Sequence, residues 1–294
     1  MKPNFIKSSQ DLQTKHRDIC DGFIFQALQK TQKAIPFVKR AKDFSVAINS
    51  VSNVDELLAL TDYRDDLIAS CGFSDKAKSK LTQEELTVAM KKVLREVLKF
   101  SGDGFKDEII FRYLLTKGDA LGGSMRNLTG AMAGIKLINK ILARLERNRQ
   151  SVKILKSKTG KIQEIAWSGR VLLFDVKPKL IGKNIDLILL DSKSGKNVGS
   201  LLSISKCYLA CGELKGGIDP AGADEHWKTA NSALGRIRVA LNKNKPALFF
   251  VGAAIEASMA EEIYSQLSSG SLTYAANLNS EDQLDDLVDW LISL

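Results

Sequence analysis

The chain has 294 residues, 44% hydrophobic and 26% charged, an ordinary globular composition able to bury a sizeable core in one large domain or two smaller ones. A total of 43 Lys and Arg against 34 Asp and Glu leaves a formal charge of +9, which suits an anionic partner without choosing among nucleic acid, a membrane surface and an acidic substrate. No stretch approaches the roughly 20 apolar residues of a spanning helix, and the opening MKPNFIKSSQ has no secretory apolar core, so a cytoplasmic protein without membrane contact is expected.

Residues 1–150 predict helices almost throughout, because apolar residues recur at three- and four-residue spacing, as in Leu57, Leu58 and Leu60 and again in Val88, Val93, Leu94 and Val97. Thr82 followed by Glu85 predicts a capping-box start for a helix through Lys99, and the SGDG run at 101–104 ends it. From Val152 the texture changes to VKILK, QEIAWSG, RVLLFDV, DLILLDS and KCYLACGELK, short apolar and β-branched runs that predict a sheet. Near Glu225 the pattern is helical again through Leu241. PALFFVGAAI then supplies one buried strand, and helices from Met259 and from Glu281 close the chain. The linker-like stretches, 118–124 and 192–199, are short, so the expectation is one continuous α/β unit with extra helical mass early on.

Glu213 and Lys215 stand two residues apart at the end of an apolar strand, and the period of two sends both side chains to one face. Asp186 begins another strand, NIDLILL, where an apolar run makes a carboxylate costly to bury without a partner or a metal. If the two strands are neighbours, Asp186 and Glu213 converge. Two carboxylates with water build an oxygen-rich site suited to Mg²⁺, with the lysine orienting a water and stabilising developing charge. That is the logic of the PD-(D/E)XK nucleases. Acid-x-lysine also occurs at Asp175/Lys177 and Asp191/Lys193, so a rival site of Asp175, Asp191 and Lys193 is weighed against it. Lys193 lies in a turn-forming segment where strand alternation no longer aligns it with Asp191. Gly212, Gly216 and Gly217 around the first pair are read as room for a ligand backbone. Neither His16 with Cys20 nor Cys207 with Cys211 has zinc-finger spacing, and the four cysteines are too scattered for a disulfide framework.

Residues 212–230, GELKGGIDPAGADEHWKTA, resemble the active-site segment of the AvaI/BsoBI family of restriction endonucleases. IKSSQDL at 6–12 and LLTKGDALGGSMRNL at 114–128 are similar to further blocks of that family. The resemblance implies a type II restriction endonuclease with an α/β fold. Its EcoRI-like PD-(D/E)XK core, a mixed central sheet flanked by helices, would be formed by residues 1–44 and 111–294, with a DNA-embracing helical insertion at 45–110. It further implies a homodimer that surrounds double-stranded DNA, Mg²⁺ as cofactor, and cleavage within CYCGRG after the first C to leave 5′ overhangs with 5′-phosphate ends. A cognate methyltransferase is implied in the same cell, though not as a stable complex. By motif, Asp186 and Glu213 would be metal ligands, Lys215 the catalytic lysine and His226 a general base. Asp219 would accept a hydrogen bond from a cytosine amino group or, alternatively, cap an Asp-Pro turn. Lys117 would open a helix whose N–H groups, with Arg126, meet a phosphate. Lys76, Lys78 and Lys80 would touch DNA from the helical region or form a solvated face. The alternatives are a PD-(D/E)XK nuclease of repair or recombination and a basic DNA-binding protein without catalysis.

Overall fold

The computed structural model describes residues 3–294, the side chain of Arg126 excepted. It divides into two compact units, one of the chain up to Phe23 together with Leu128–Leu294, the other of Ile24–Asn127.

The helical unit is built on α1 (His16–Asn49), α2 (Val54–Leu58), α3 (Arg64–Ser70), α4 (Asp75–Lys78), α5 (Gln83–Ser101) and the first part of α6 (Phe105–Arg147). Its core is Phe44, Ile48, Leu57, Leu67, Met90, Leu94, Ile109 and Tyr113. The α5 start carries the expected reciprocal cap between Thr82 and Glu85, and Gly102 ends the helix in left-handed backbone, φ 49°. Asp66 is buried and held by Arg40 at 2.7 Å, while the Arg40 guanidinium lies 4.3 Å over the Tyr63 ring.

The compact helical unit, 24–127, is wider than the 45–110 expected for the helical insertion, because α1 and α6 run as uninterrupted helices past those limits. The stretch 118–124 is no linker but the middle of α6. Lys117 therefore opens no helix, and the backbone N–H groups after it point into the α-helical ladder instead of toward an anion. The Arg126 side chain falls outside the described residues.

The second unit holds a seven-stranded sheet in the order β1-β2-β3-β4-β5-β6-β7. Its strands are β1 (Val152–Lys156), β2 (Ile162–Trp167), β3 (Arg170–Val176), β4 (Ile185–Asp191), β5 (Tyr208–Lys215), β6 (Ala247–Gly252) and β7 (Tyr274–Asn277). β1 to β5 pair antiparallel, and β6 and β7 continue parallel to β5. The helices here are α7 (Val198–Leu201), α8 (Ala223–Ala240), α9 (Ala257–Ser269) and α10 (Glu281–Ser293). β7 is absent from the sequence reading: YAAN is four residues long and half alanine, too short and too weakly β-branched to register.

Both faces of the sheet are covered, which explains why the central strands are apolar on both sides. One face packs Leu187, Leu189, Ala210, Phe249 and Val251 against Leu137, Ile141 and Leu145 of α6 and Leu284, Leu287 and Leu291 of α10. The other packs Ile188, Leu190, Cys211 and Phe250 against Trp227, Ala230, Leu234 and Ile237 of α8 and Met259 and Ile263 of α9. α6 and α10 are also joined by an ionic ladder repeating every four residues on each helix. Lys136 and Lys140 each lie 2.7 Å from Glu281, Lys140 is 2.8 Å from Asp285, and Arg144 pairs with Asp289. Among the described residues no helix is long and apolar enough to cross a membrane.

The opening block 6–12 has a structural explanation. Leu12 is fully buried, Asp11 caps Ser8, and Gln283 donates to the Asp11 carbonyl at 2.6 Å. Thr14 then spends its whole hydroxyl: Oγ1 donates to the Ala253 carbonyl and accepts from the Ile255 amide and the Asn277 amide group. The Ala253 amide in turn donates to the Lys215 carbonyl at 2.9 Å, tying the N-terminal segment to the end of β5.

Gly212 is a steric requirement of this packing. A Cβ there would lie 2.2–2.5 Å from three ring atoms of Phe249, which is fully buried and held edge-on against Trp290. Gly212→Ala is therefore expected to destabilise the protein by about 1–3 kcal/mol in denaturant midpoints, the range for overpacking. Phe249→Leu in the same chain should recover part of that loss, and additive losses would show that the two positions do not clash.

Candidate active site

The hydrogen-bonded register of β4 and β5 pairs Leu187 with Gly212 and Ile188 with Cys211, and one step further sets Asp186 opposite Glu213. Both carboxylates point to the α8 side, as strand alternation requires. Lys215, two residues past Glu213, follows them: its Nζ lies 2.9 Å from Glu213 Oε2 and 3.2 Å from Asp186 Oδ2. The Leu214 amide donates to Asp186 Oδ2 at 2.9 Å, a contact no side-chain pattern foretells because a backbone group makes it.

The three groups differ in depth. Glu213, two residues inside the end of β5, is 4% exposed, whereas the side chains of Asp186 and Lys215, near the ends of their strands, keep 27% and 22% exposure. Glu213 Oε1 is buried without a hydrogen-bond partner. Burial, with the adjacent Asp186 charge adding to it, pushes the Glu213 carboxyl up to about 7 against the opposing pull of Lys215. Burial works against the Lys215 ammonium, yet the charges of Asp186 and Glu213 outweigh it and raise its pKa, so the lysine stays charged.

A buried, orphaned carboxylate oxygen beside a second carboxylate holds a proton more readily than a free carboxylate does, and it equally suits a hard cation, which prefers oxygen ligands. Among the described residues no group of three or more His, Cys, Asp or Glu gathers anywhere. The pair Asp186 and Glu213 thus fits an ion of the Mg²⁺ type, which is commonly held by one or two carboxylates and keeps waters and substrate oxygens for its other positions.

The rival trio is not assembled. Asp175 sits in left-handed backbone, φ 53°, and pairs with Lys161. Asp191, at the other end of β4 from Asp186, accepts from the Lys193 amide at 2.9 Å and lies 3.6 Å from Arg170. His226 is exposed on the first turn of α8, with Nε2 3.2 Å from where a Gly217 Cβ would stand. The imidazole thus rides over the turn leaving Lys215. Trp227 beside it is fully buried, T-shaped on Phe250 at 5.0 Å, and donates to Glu262 at 2.7 Å. Asp219 Oδ1 accepts from the Ala221 amide at 3.0 Å, so at least one carboxylate oxygen serves the Asp-Pro turn.

The neighbouring glycines have another role than the one read from sequence. Gly212 admits the Phe249 ring, and a Cβ on Gly216 would lie 2.5 Å from Ala133 Cβ and 2.7 Å from the Thr129 carbonyl of α6. They make room for the protein's own packing rather than for a ligand. In the helical unit, Lys76, Lys78 and Lys117 line one cleft of about 590 Å³, in which Lys78 pairs with Asp65 at 2.5 Å.

Comparison with known proteins identifies the family of the chain. The model of the family described as Restriction endonuclease BsobI matches residues 2–294. The chain is 41% identical over 309 residues to the type II restriction enzyme AvaI of Nostoc sp., and equally to that of Anabaena variabilis, covering 98% of each chain. It is 39% identical over 315 residues to the type II restriction enzyme BsoBI of Geobacillus stearothermophilus, covering 99% of this chain and 98% of that one. The class is therefore that of the type II restriction endonucleases, site-specific deoxyribonucleases, in place of a repair nuclease or a DNA-binding protein without catalysis. Within it, the chain belongs to the AvaI/BsoBI family.

The elevated Glu213 pKa carries a sign that can be checked. A carboxyl raised from 4.5 unfolded to about 7 folded stabilises the protein fully only below about pH 4.5, and that contribution is lost as pH rises through about 7. In metal-free buffer, Glu213→Gln should gain on the parent protein by about 3 kcal/mol between pH 5 and 8 in urea midpoints. Parallel stability curves across that range would show that the carboxylate is not held at an energetic cost.

Proposed function

We propose that the protein is a Mg²⁺-dependent endonuclease of the PD-(D/E)XK type, with Asp186 and Glu213 as metal ligands and Lys215 as the catalytic lysine. The observation that carries this reading is the partnerless buried Oε1 of Glu213, on a carboxylate that stands opposite Asp186 in the sheet and is bound through Oε2 by the Lys215 ammonium. Mg²⁺ held there would neutralise phosphodiester charge and lower the pKa of the attacking water. The chain's own groups do the rest. Lys215 donates to the water and to the oxygens that gain charge as phosphorus is attacked. His226, exposed over Gly217, accepts the proton the water loses. Asp186 is kept in place by the Leu214 amide, so the ligand geometry does not depend on Lys215 alone.

The wider reading follows the family. The sheet-containing unit is the catalytic domain, and the helical unit embraces double-stranded DNA through Lys76, Lys78, Lys117 and Arg126. Asp219 uses its second carboxylate oxygen toward a base edge. Two copies form a homodimer, each cutting one strand of a palindrome, CYCGRG, after the first C to leave 5′-phosphate ends. The enzyme works in the cytoplasm beside a methyltransferase that protects the same site.

Glu213→Ala and Lys215→Ala are expected to abolish plasmid cleavage while specific DNA binding in Ca²⁺ survives, since both act on the water and metal and not on bases. Asp186→Ala should be equally inactive and Asp191→Ala should retain most activity; the reverse pattern would move the site to the other end of β4. His226→Ala, with parental stability and DNA affinity, should slow single-turnover cleavage by about 10²–10⁴. Cutting within a few-fold of the parental rate would return this histidine to a packing role.

A further inference from the structure

The antiparallel order of the sheet brings two loops to the end where Glu213 and Lys215 lie. β5 finishes there and β4 starts there, so the β3–β4 connection, residues 177–184, borders the site directly. β3 finishes at the same end and pairs with the start of β2, so the β1–β2 turn, residues 157–161, lies on the same rim. These segments carry Lys158, Lys177, Lys179 and Lys183, and Lys156 ends β1 beside them; all five are exposed. Among the described residues no carboxylate stands within ion-pair distance of any of the five, whereas Lys161 on the same rim is neutralised by Asp175.

The β3–β4 connection is held firmly enough to present its charges. Pro178 is buried and its carbonyl accepts from the amides of Ile181 and Gly182, and Ile181 packs on the core beneath α8 and α9. Strands are about 4.8 Å apart, so the lysines begin roughly 5–10 Å from Glu213 and reach about 15–20 Å from it at the β1–β2 turn. A DNA strand presents a phosphate about every 3.4 Å of helix axis, so a ramp of this length meets several phosphates in succession.

We propose that Lys177, Lys179 and Lys183, extended outward by Lys156 and Lys158, form a phosphate-tracking rim that seats the DNA strand flanking the scissile bond. The inference rests on the placement of the active site at Glu213 and Lys215. The contacts are to the backbone, so the rim contributes affinity and position without sequence choice. Lysines are also present at the opposite end of the sheet, including Lys196, Lys206 and Lys243, and they supply the control, because removing them changes net charge equally at a distance from the site.

The test is fluorescence anisotropy with labelled duplexes, with and without CYCGRG, in Ca²⁺ over a series of salt concentrations. Lys177→Ala, Lys179→Ala and Lys183→Ala combined should make the slope of log K against log salt shallower by about 2–3, close to 0.9 per lost phosphate contact, on both duplexes. The same three positions changed to Arg should keep the parental slope, and the thermal midpoint of each variant should match the parent. Lys196→Ala, Lys206→Ala and Lys243→Ala combined should change the slope by less than about 1. Equal slope changes in the two alanine triples, or no change in the first, would overturn the rim. An active Glu213→Ala enzyme would instead overturn the site assignment, and it is read by cleavage and not by this slope.

Discussion

The structure depends on keeping a carboxylate where water cannot solvate it. Glu213 sits in a central strand, opposite Asp186 and beside Lys215, with one oxygen lacking any partner. Folding alone would not favour that arrangement, since an unsatisfied buried polar atom costs about 1–3 kcal/mol and more when charged. Lys215 offsets part of the cost by serving both acids, and the Leu214 amide serves Asp186. On the proposed function, what is left over would be a local affinity for a cation.

Much of the surrounding fold maintains this geometry. β5 is fixed from below by the Phe249 ring lying across Gly212 and by α6 approaching Gly216. From above, Trp227 packs on Phe250, the cross-strand neighbour of Glu213, so α8 is anchored on its buried face while His226, about 100° around the helix, is carried over Gly217. The strand end is closed by the bond from Ala253 to the Lys215 carbonyl and by Thr14 behind it, which links residues at opposite ends of the chain. A shift in any of these contacts reaches the carboxylate pair through one or two neighbours.

The sequence carries part of this plainly. Period-two alternation is a property of any strand, so the shared face of Glu213 and Lys215 could be read without knowing the fold. Asp186 stands out because an acid just ahead of the apolar run LILL needs a reason to be there. RVLLFDV and the Thr82–Glu85 cap are local signals, and local contacts decide them. Other features depend on tertiary structure. The glycines at 118, 122 and 123 look like a break, yet α6 passes through them, since packing along a long helix outweighs a cost of about 1 kcal/mol per glycine. β7 exists because β6 offers it an edge, not because YAAN prefers to be extended. The flanking glycines of the site admit Phe249 and α6, partners far away in sequence, and so could not be told from room for a ligand.

If Glu213 is the proposed metal ligand, its burial primes it to exchange a proton for a metal ion. Calorimetric titration of Mg²⁺ into the protein with a duplex carrying CYCGRG and a non-hydrolysable linkage, repeated in buffers of different ionisation enthalpy, measures the protons released on binding. With a carboxyl at about 7, roughly half to one proton should leave per ion bound at pH 6.5, falling toward zero by pH 8.5 and disappearing in Glu213→Gln. Metal binding with no proton release at pH 6.5, or release unchanged in Glu213→Gln, would contradict it.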